Sequence, residues 1–151
     1  MNQEHIIEII QTAIEKMGFL EDLETIHAHQ GTASRFEIRI RGDARMLIGE
    51  YGNNLAAIEH LIKRIVMKKY NEDVRFTLDI NDYRMRRLED LKQNVKSAAK
   101  DVRLYHKSVY LSPMSSFERR IVHLLLAEYP DITTESTGEG YERRVMIKPF
   151  P

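Results

Sequence analysis

The chain has 151 residues, 42% of them hydrophobic and 30% charged, with no cysteine and a formal net charge of zero. That composition supports a packed core and excludes a disordered polymer, disulfide stapling, a cysteine nucleophile and thiolate metal sites. No apolar run approaches the roughly 18 residues of a membrane span, and the acidic opening Met1-Asn2-Gln3-Glu4 lacks the positive region of a signal peptide, so a cytoplasmic protein without direct membrane association is expected.

From the N-terminus, Glu4 to Met17 places Ile6, Ile9, Ile10, Ala13, Ile14 and Met17 at helical spacing, and Gly18 supplies a stop. Two strands are predicted next, Glu24–His29 and Arg35–Arg41, joined by a turn at residues 30–34. The second strand alternates Phe36, Ile38 and Ile40 on one face with Arg35, Glu37, Arg39 and Arg41 on the other. Asp43 is a good N-cap for a short helix ending at Ile48. Beyond a glycine pair comes a helix with Leu55, Ile58, Leu61, Ile62 and Ile65 as its buried stripe. A strand over Val74–Ile80 follows, with Val74, Phe76, Leu78 and Ile80 inward.

Near Asn81 the pattern changes. Residues 81–103 read as a long charged helix with Leu88, Leu91, Val95 and Ala98 or Ala99 as a narrow apolar face. Ser108–Leu111 reads as a short strand, and Ser115 opens another helix, with Glu118 completing a capping box. Phe117, Ile121, Val122, Leu124 and Leu125 are its expected core. Strands over Asp131–Thr137 and Tyr141–Lys148 flank a hairpin turn at Gly138-Glu139-Gly140. The expected fold class is α+β: two small α/β sandwiches, αββααβ over residues 1–80 and αβαββ over 81–151, each a three-stranded sheet packed on helices. The neutral total hides a polarity. Residues 1–80 hold 10 Lys/Arg against 13 Asp/Glu, and 81–151 hold 13 against 10. The excess gathers at Arg84, Arg86, Arg87, Lys92, Lys96, Lys100, Arg103 and Lys107, a local stripe that matters more than the sum because charges are screened within about 8 Å in physiological salt.

Two strings carry chemistry. Gly49-Glu50-Tyr51-Gly52 lies between apolar helical segments. Its glycines permit a tight reversal and close approach of a ligand backbone, and the helix starting near Asn53 directs N–H groups at a phosphate. A Gly-x-x-Gly by itself is an ordinary helix–turn–helix corner. The helix-first element order and Leu47-Ile48-Gly49-Glu50-Tyr51-Gly52, with Leu55, Ile58 and Leu61 downstream, resemble a type II KH domain, whose loop clamps about four nucleotides by their backbone. Glu50 departs from the basic or polar residues usual there. Its carboxylate predicts weakened phosphate binding, while Tyr51 offers a ring for stacking. The second string is Ser115 to His123. Arg119 and His123 stand one turn apart on one helix face, the first a planar donor suited to phosphate, the second a donor that can also stack. With Leu111-Ser112-Pro113-Met114 before and Leu124-Leu125 after, it resembles the R-3-H domain, named for this Arg-x-x-x-His spacing.

A KH module followed directly by an R-3-H module resembles the bacterial Jag family, also called KhpB or SpoIIIJ-associated. The junction string Leu78-Asp79-Ile80-Asn81-Asp82-Tyr83-Arg84 with Arg86-Arg87, and Tyr141-Glu142-Arg143-Arg144-Val145, extend the resemblance over residues 1–149. It implies a cytoplasmic, non-catalytic RNA-binding protein that works with other KH proteins in post-transcriptional control linked to the cell envelope or division. Many members carry an N-terminal extension; Met1 falls close to the first helix, so a short form is expected. The residues expected at nucleic acid are Gly49, Glu50, Tyr51, Gly52, Asn53, Arg84, Arg87, Arg119, Arg120 and His123. The partner is single-stranded RNA or single-stranded DNA, with another KH protein or self-association as a further partner. No cofactor and no metal is expected. His27 and His29 share a strand face, but no carboxylate cluster of recognisable spacing completes a site, and a solvated face is the preferred reading. No P-loop, nucleophile elbow or paired-acid motif supports an enzyme. The alternative is an interaction adaptor that uses the KH surface for dimerisation and binds RNA weakly or not at all.

Overall fold

The computed structural model describes residues 2–151, which divide into two compact units, the first ending at Arg84 and the second starting at Met85. The first runs helix α1 (Gln3–Lys16), strands β1 (Leu23–His29) and β2 (Ser34–Ile40), short helix α2 (Arg45–Ile48), a 3-10 turn at Glu50–Gly52, helix α3 (Asn53–Tyr70) and strand β3 (Phe76–Ile80). It closes on Tyr83 and Arg84, the opening residues of helix α4 (Tyr83–Tyr105). The sheet order is β1-β2-β3, with β1 antiparallel and β3 parallel to β2. A parallel pair needs a crossover, and the chain between β2 and β3 supplies it with α2 and α3. The Asn2 side chain accepts the Glu4 N–H at the start of α1, and Ile6, Ile9, Ile10 and Ile14 face the core. Phe36, Ile38 and Leu78 are fully enclosed beneath them. Phe36 and Phe76 meet edge to face with centroids 5.5 Å apart.

The stripe of α3 differs from the expected one. Leu55, Ile58, Ile62 and Val66 are buried, while Leu61 and Ile65 lie exposed on its flank. Apolar residues cover more than one face of this helix, so spacing alone admits two stripes, and the sheet selects one. Asp43 acts one position before its expected place: Ala44 is the N-cap of α2, and Asp43 accepts the Arg45 N–H at 2.9 Å. Val74 is half-buried and precedes β3 instead of joining it.

The second unit continues α4, then strand β4 (Val109–Tyr110), helix α5 (Ser116–Leu126), strand β5 (Ile132–Thr137), a 3-10 turn at Gly140–Glu142 and strand β6 (Arg144–Pro149). Its sheet is antiparallel, ordered β4-β6-β5, so β5 is an edge. Leu91, Val95, Ala98, Ala99 and Val102 of α4 pack in one core with Val122 and Leu126 of α5 and Val145 and Ile147 of β6. The capping box forms as predicted: Ser115 Oγ accepts the Glu118 N–H, and Glu118 Oε2 accepts the Ser115 N–H.

Three expectations about this core are corrected. Phe117, Leu124 and Leu125 of α5 are exposed, and Glu118, Val122 and Leu126 point inward. Leu88 is only half-buried, and Val102 extends the buried face of α4 in its place. The β5–β6 connection is longer than a two- or three-residue hairpin, because a 3-10 turn delays β6 to Arg144. The element orders αββααβ and αβαββ, each with three strands packed on helices, are those predicted.

Candidate nucleic-acid interface

Helix α2 ends with the Gly49 N–H donating to the Arg45 carbonyl at 2.7 Å. Gly49 has φ 74° and ψ 175°, a region essentially closed to side-chain-bearing residues. A Cβ there would fall 2.6 Å from Asn54 Cγ. Asn54 cannot easily yield, since its Nδ2 donates to the Met46 carbonyl at 2.7 Å. At Gly52 (φ 77°) a Cβ would stand 2.9 Å from Tyr83 Cε1. Both glycines are therefore demanded by internal packing. The room that the sequence assigns to a ligand backbone is already shared with Asn54 and Tyr83.

The turn's amides are partly engaged. Gly52 N–H donates to the Gly49 carbonyl at 3.2 Å, and Asn53 N–H donates to the Glu50 carbonyl. The Asn53 amide expected to meet a phosphate thus closes the 3-10 turn instead. Tyr51 adopts a left-handed conformation (φ 55°) and is half-buried, whereas the Glu50 and Asn53 side chains are exposed. Met46, 78% exposed on the preceding helix, adds an apolar surface that the sequence reading passed over. Its only sequence signal is a large apolar residue beside the buried pair Leu47 and Ile48 in a helix too short to show a period. Asp43 flanks this surface. Its carboxyl is lowered to about 2 by the Arg45 side chain and then by the Arg45 N–H.

The Asp79–Arg84 string fastens the end of the first unit. Asn81 completes the β2 ladder with its side chain: Oδ1 accepts the Ile40 N–H at 2.9 Å, and Nδ2 donates to the Ile40 carbonyl at 3.0 Å. It does so in a left-handed conformation shared by Asp82. Asp79 Oδ1 accepts the Ile80 and Arg84 N–H groups. The Asp82 carboxyl is held below the ordinary range by hydrogen bonding with Glu37 and with Arg39. Arg84, expected at nucleic acid, places Nη2 3.1 Å from Glu59 Oε2. On the open face of the same sheet His27 and His29 are exposed, with His29 Nε2 3.2 Å from Glu37 Oε2.

In the second unit the helical spacing brings Arg119 and His123 to one side of α5, as expected. Arg119 Nη1 donates to the Met114 carbonyl at 2.7 Å, bridging back over the Ser115 cap. His123 lies between two hydroxyls of β5, with Nδ1 2.6 Å from Thr134 Oγ1 and Nε2 3.0 Å from Ser136 Oγ. A hydroxyl can donate or accept, so either histidine tautomer is satisfied. The ring ties α5 to the edge strand.

The sequence reading missed Thr134 and Ser136. They pair in register with buried Ile147 and Val145, on the strand face where apolar residues belong. Hydroxyls at the inward phase of a strand call for a partner, and that was the available signal. Arg87 Nε is 2.8 Å from Glu118 Oε1, which joins that cation to the capping box. Arg120 is exposed and has no hydrogen-bond or ionic partner among the described residues. No helix among the described residues is long and apolar enough to cross a membrane.

A capped helix carrying Arg119 and His123 against a three-stranded sheet defines a class. Residues 86–149 match the R-3-H domain, and this segment is an R-3-H domain. Across both units the chain resembles proteins named RNA-binding protein KhpB. It is 32% identical over 146 residues to that of Clostridium symbiosum, covering 96% of this chain and 65% of the relative. It is 37% identical over 141 residues to that of Bacillus subtilis, covering 91% and 66%. With that of Lactiplantibacillus plantarum it shares 30% over 142 residues, covering 94% and 43%. The chain resembles the KhpB proteins over nearly its whole length and spans 43% to 66% of the length of these three relatives.

Proposed function

We infer that the chain is a non-catalytic, cytoplasmic protein that binds single-stranded RNA and acts in post-transcriptional control linked to the cell envelope or division. One observation carries the reading: a Gly-x-x-Gly turn joining α2 to α3 in a KH-like αββααβ unit is followed, in the same chain, by an R-3-H domain. The name RNA-binding protein on the relatives supports it. The KH module is assigned to residues 1–80 and the R-3-H module, with the helix leading into it, to 81–151. The ligand surface of the first is the outward side of Gly49–Asn53 with Met46. That of the second is the Arg119–Arg120–His123 edge of α5. Arg84 and Arg87, each held by a glutamate, serve these surfaces mainly by fixing local structure.

Anisotropy titration with a short unstructured RNA, and with the matching single-stranded DNA, tests this. Binding is expected to weaken with salt, with a slope of about −0.7 per phosphate contacted. Arg120→Ala, which disturbs no internal partner, should weaken binding to all sequences alike. Arg119→Ala with His123→Ala should weaken it more than Glu50→Ala, which leaves binding unchanged or improves it. Absence of binding to either nucleic acid at low salt overturns the reading.

A second reading rests on a specific observation. Leu61, Ile65 and Met17, each exposed, line a groove of about 460 Å³ between α1 and α3. An adaptor that pairs with another KH protein or with itself through this groove would bury them. Sedimentation of wild type and Leu61→Glu decides: concentration-dependent association abolished by the glutamate supports it, and a monomer throughout rejects it.

A further inference from the structure

The lysines of α4 are absorbed by neither surface above. Lys92, Lys96 and Lys100 follow one another at four-residue intervals, about 6 Å apart along the helix axis. Lys96 and Lys100 are exposed and have no hydrogen-bond or ionic partner among the described residues. Lys92 has only a long contact, 3.8 Å, with Glu89. Lys96, Lys100 and Arg103 line a cleft of about 450 Å³ whose far side holds Tyr129 and Asp131. Three cations face one carboxylate there, in a chain of zero net charge.

Arg103 is the built part of this cleft. Its Nε donates to Asp131 Oδ2 at 2.7 Å, and its guanidinium carbon lies 5.5 Å from the centre of the Tyr129 ring. The planar group is thereby held in place, while its terminal nitrogens make no hydrogen bond to a described residue. A guanidinium fixed this way is suited to phosphate, which it can contact through two parallel N–H groups.

We propose that this α4 cleft of the R-3-H unit is a second nucleic-acid contact, taking the sugar–phosphate backbone of a single strand along Lys92, Lys96, Lys100 and Arg103. A nucleic-acid strand carries one negative charge per repeat, so it can meet an evenly spaced row of single cations along its length. An acidic protein segment rarely has that regularity. The inference rests on the RNA-binding reading and adds to it a surface separate from Arg119 and His123.

The test titrates labelled 20-nucleotide unstructured RNA, and polyglutamate in parallel, with wild type and Lys96→Ala/Lys100→Ala. The expected result is about tenfold weaker RNA binding near 50 mM salt and a salt slope shallower by about 1.4, two contacts at about 0.7 each. Arg103→Lys, which keeps the charge but loses the held fork, should cost about threefold with the slope unchanged. Lys96→Gln/Lys100→Gln replaces the alanine pair if circular dichroism shows the latter unfolded. If wild type binds RNA and the lysine pair alters neither affinity nor slope, the cleft is not a contact and the RNA-binding reading stands. Loss of polyglutamate binding with RNA binding intact would assign the cleft to an acidic protein and overturn the proposal. Failure of wild type to bind any RNA removes both.

Discussion

The Gly49–Gly52 turn and the Arg119/His123 pair are both read as ligand motifs, yet the two units use them in different ways. In the turn, the constraint is on backbone: Gly49 occupies a glycine-only conformation, and Asn54 and Tyr83 fill the space beside the two glycines. In the R-3-H unit, the constraint is on side chains: Met114, Thr134 and Ser136 hold Arg119 and His123 by hydrogen bonds. Neither glycine of the turn can accept a side chain without moving the chain, whereas the α5 edge can lose a contact and keep its fold. A motif recognised for what it binds also builds the scaffold that presents it, and the second role decides how mutations there behave.

Substitutions that separate scaffold from surface sharpen this comparison. The largest effect is expected from Gly49→Ala, which should destabilise the first unit by about 3 kcal/mol, the scale of a strongly disfavoured backbone conformation. Urea denaturation measures it, and a loss below about 1 kcal/mol would show that the chain relaxes around the added Cβ.

His123→Ala comes next. Two hydrogen bonds to hydroxyls are lost, and about 2 kcal/mol of unit-two stability with them. A double-mutant cycle with Thr134→Val should show coupling, and additive losses would mean that the bond to Thr134 contributes nothing to stability. Ser115→Ala removes one half of the capping box and should cost about 1 kcal/mol, again read by urea.

The smallest effect is a titration. Asp43, lowered to about 2 from the ordinary 3.8 chiefly by the Arg45 side chain, stabilises α2 while ionised. Its contribution is present above the ordinary value and lost as pH falls through the folded value, with Arg45 charged throughout. Carboxyl NMR signals of Asp43 should move between about pH 3 and 1. A midpoint near 4 would show that the pair does not hold in solution. The stabilisation is small because both groups are exposed.

Much of this was legible beforehand. Alternation in Phe36, Ile38 and Ile40, the helical spacing of Ile6, Ile10 and Ile14, and the Ser115–Glu118 cap are local signals, and each produced the element expected. The side of a helix that is buried is another matter. Leu61, Ile65 and Leu124 are as apolar as Val66 and Leu126, which are buried in their place, and no local rule ranks two adjacent stripes.

What the sequence determined by itself is the order of elements, the two motifs and the family resemblance, because these depend on spacing along the chain. Tertiary structure decided what those motifs touch. Asn54 and Tyr83 meet the glycines, and Thr134 and Ser136 reach His123, across separations of up to 31 residues. Such contacts follow from packing helices on a sheet, which no window along the sequence contains. The physical reason is that periodicity reports which residues share a face, whereas a hydrogen bond or a steric limit requires knowing what lies opposite that face.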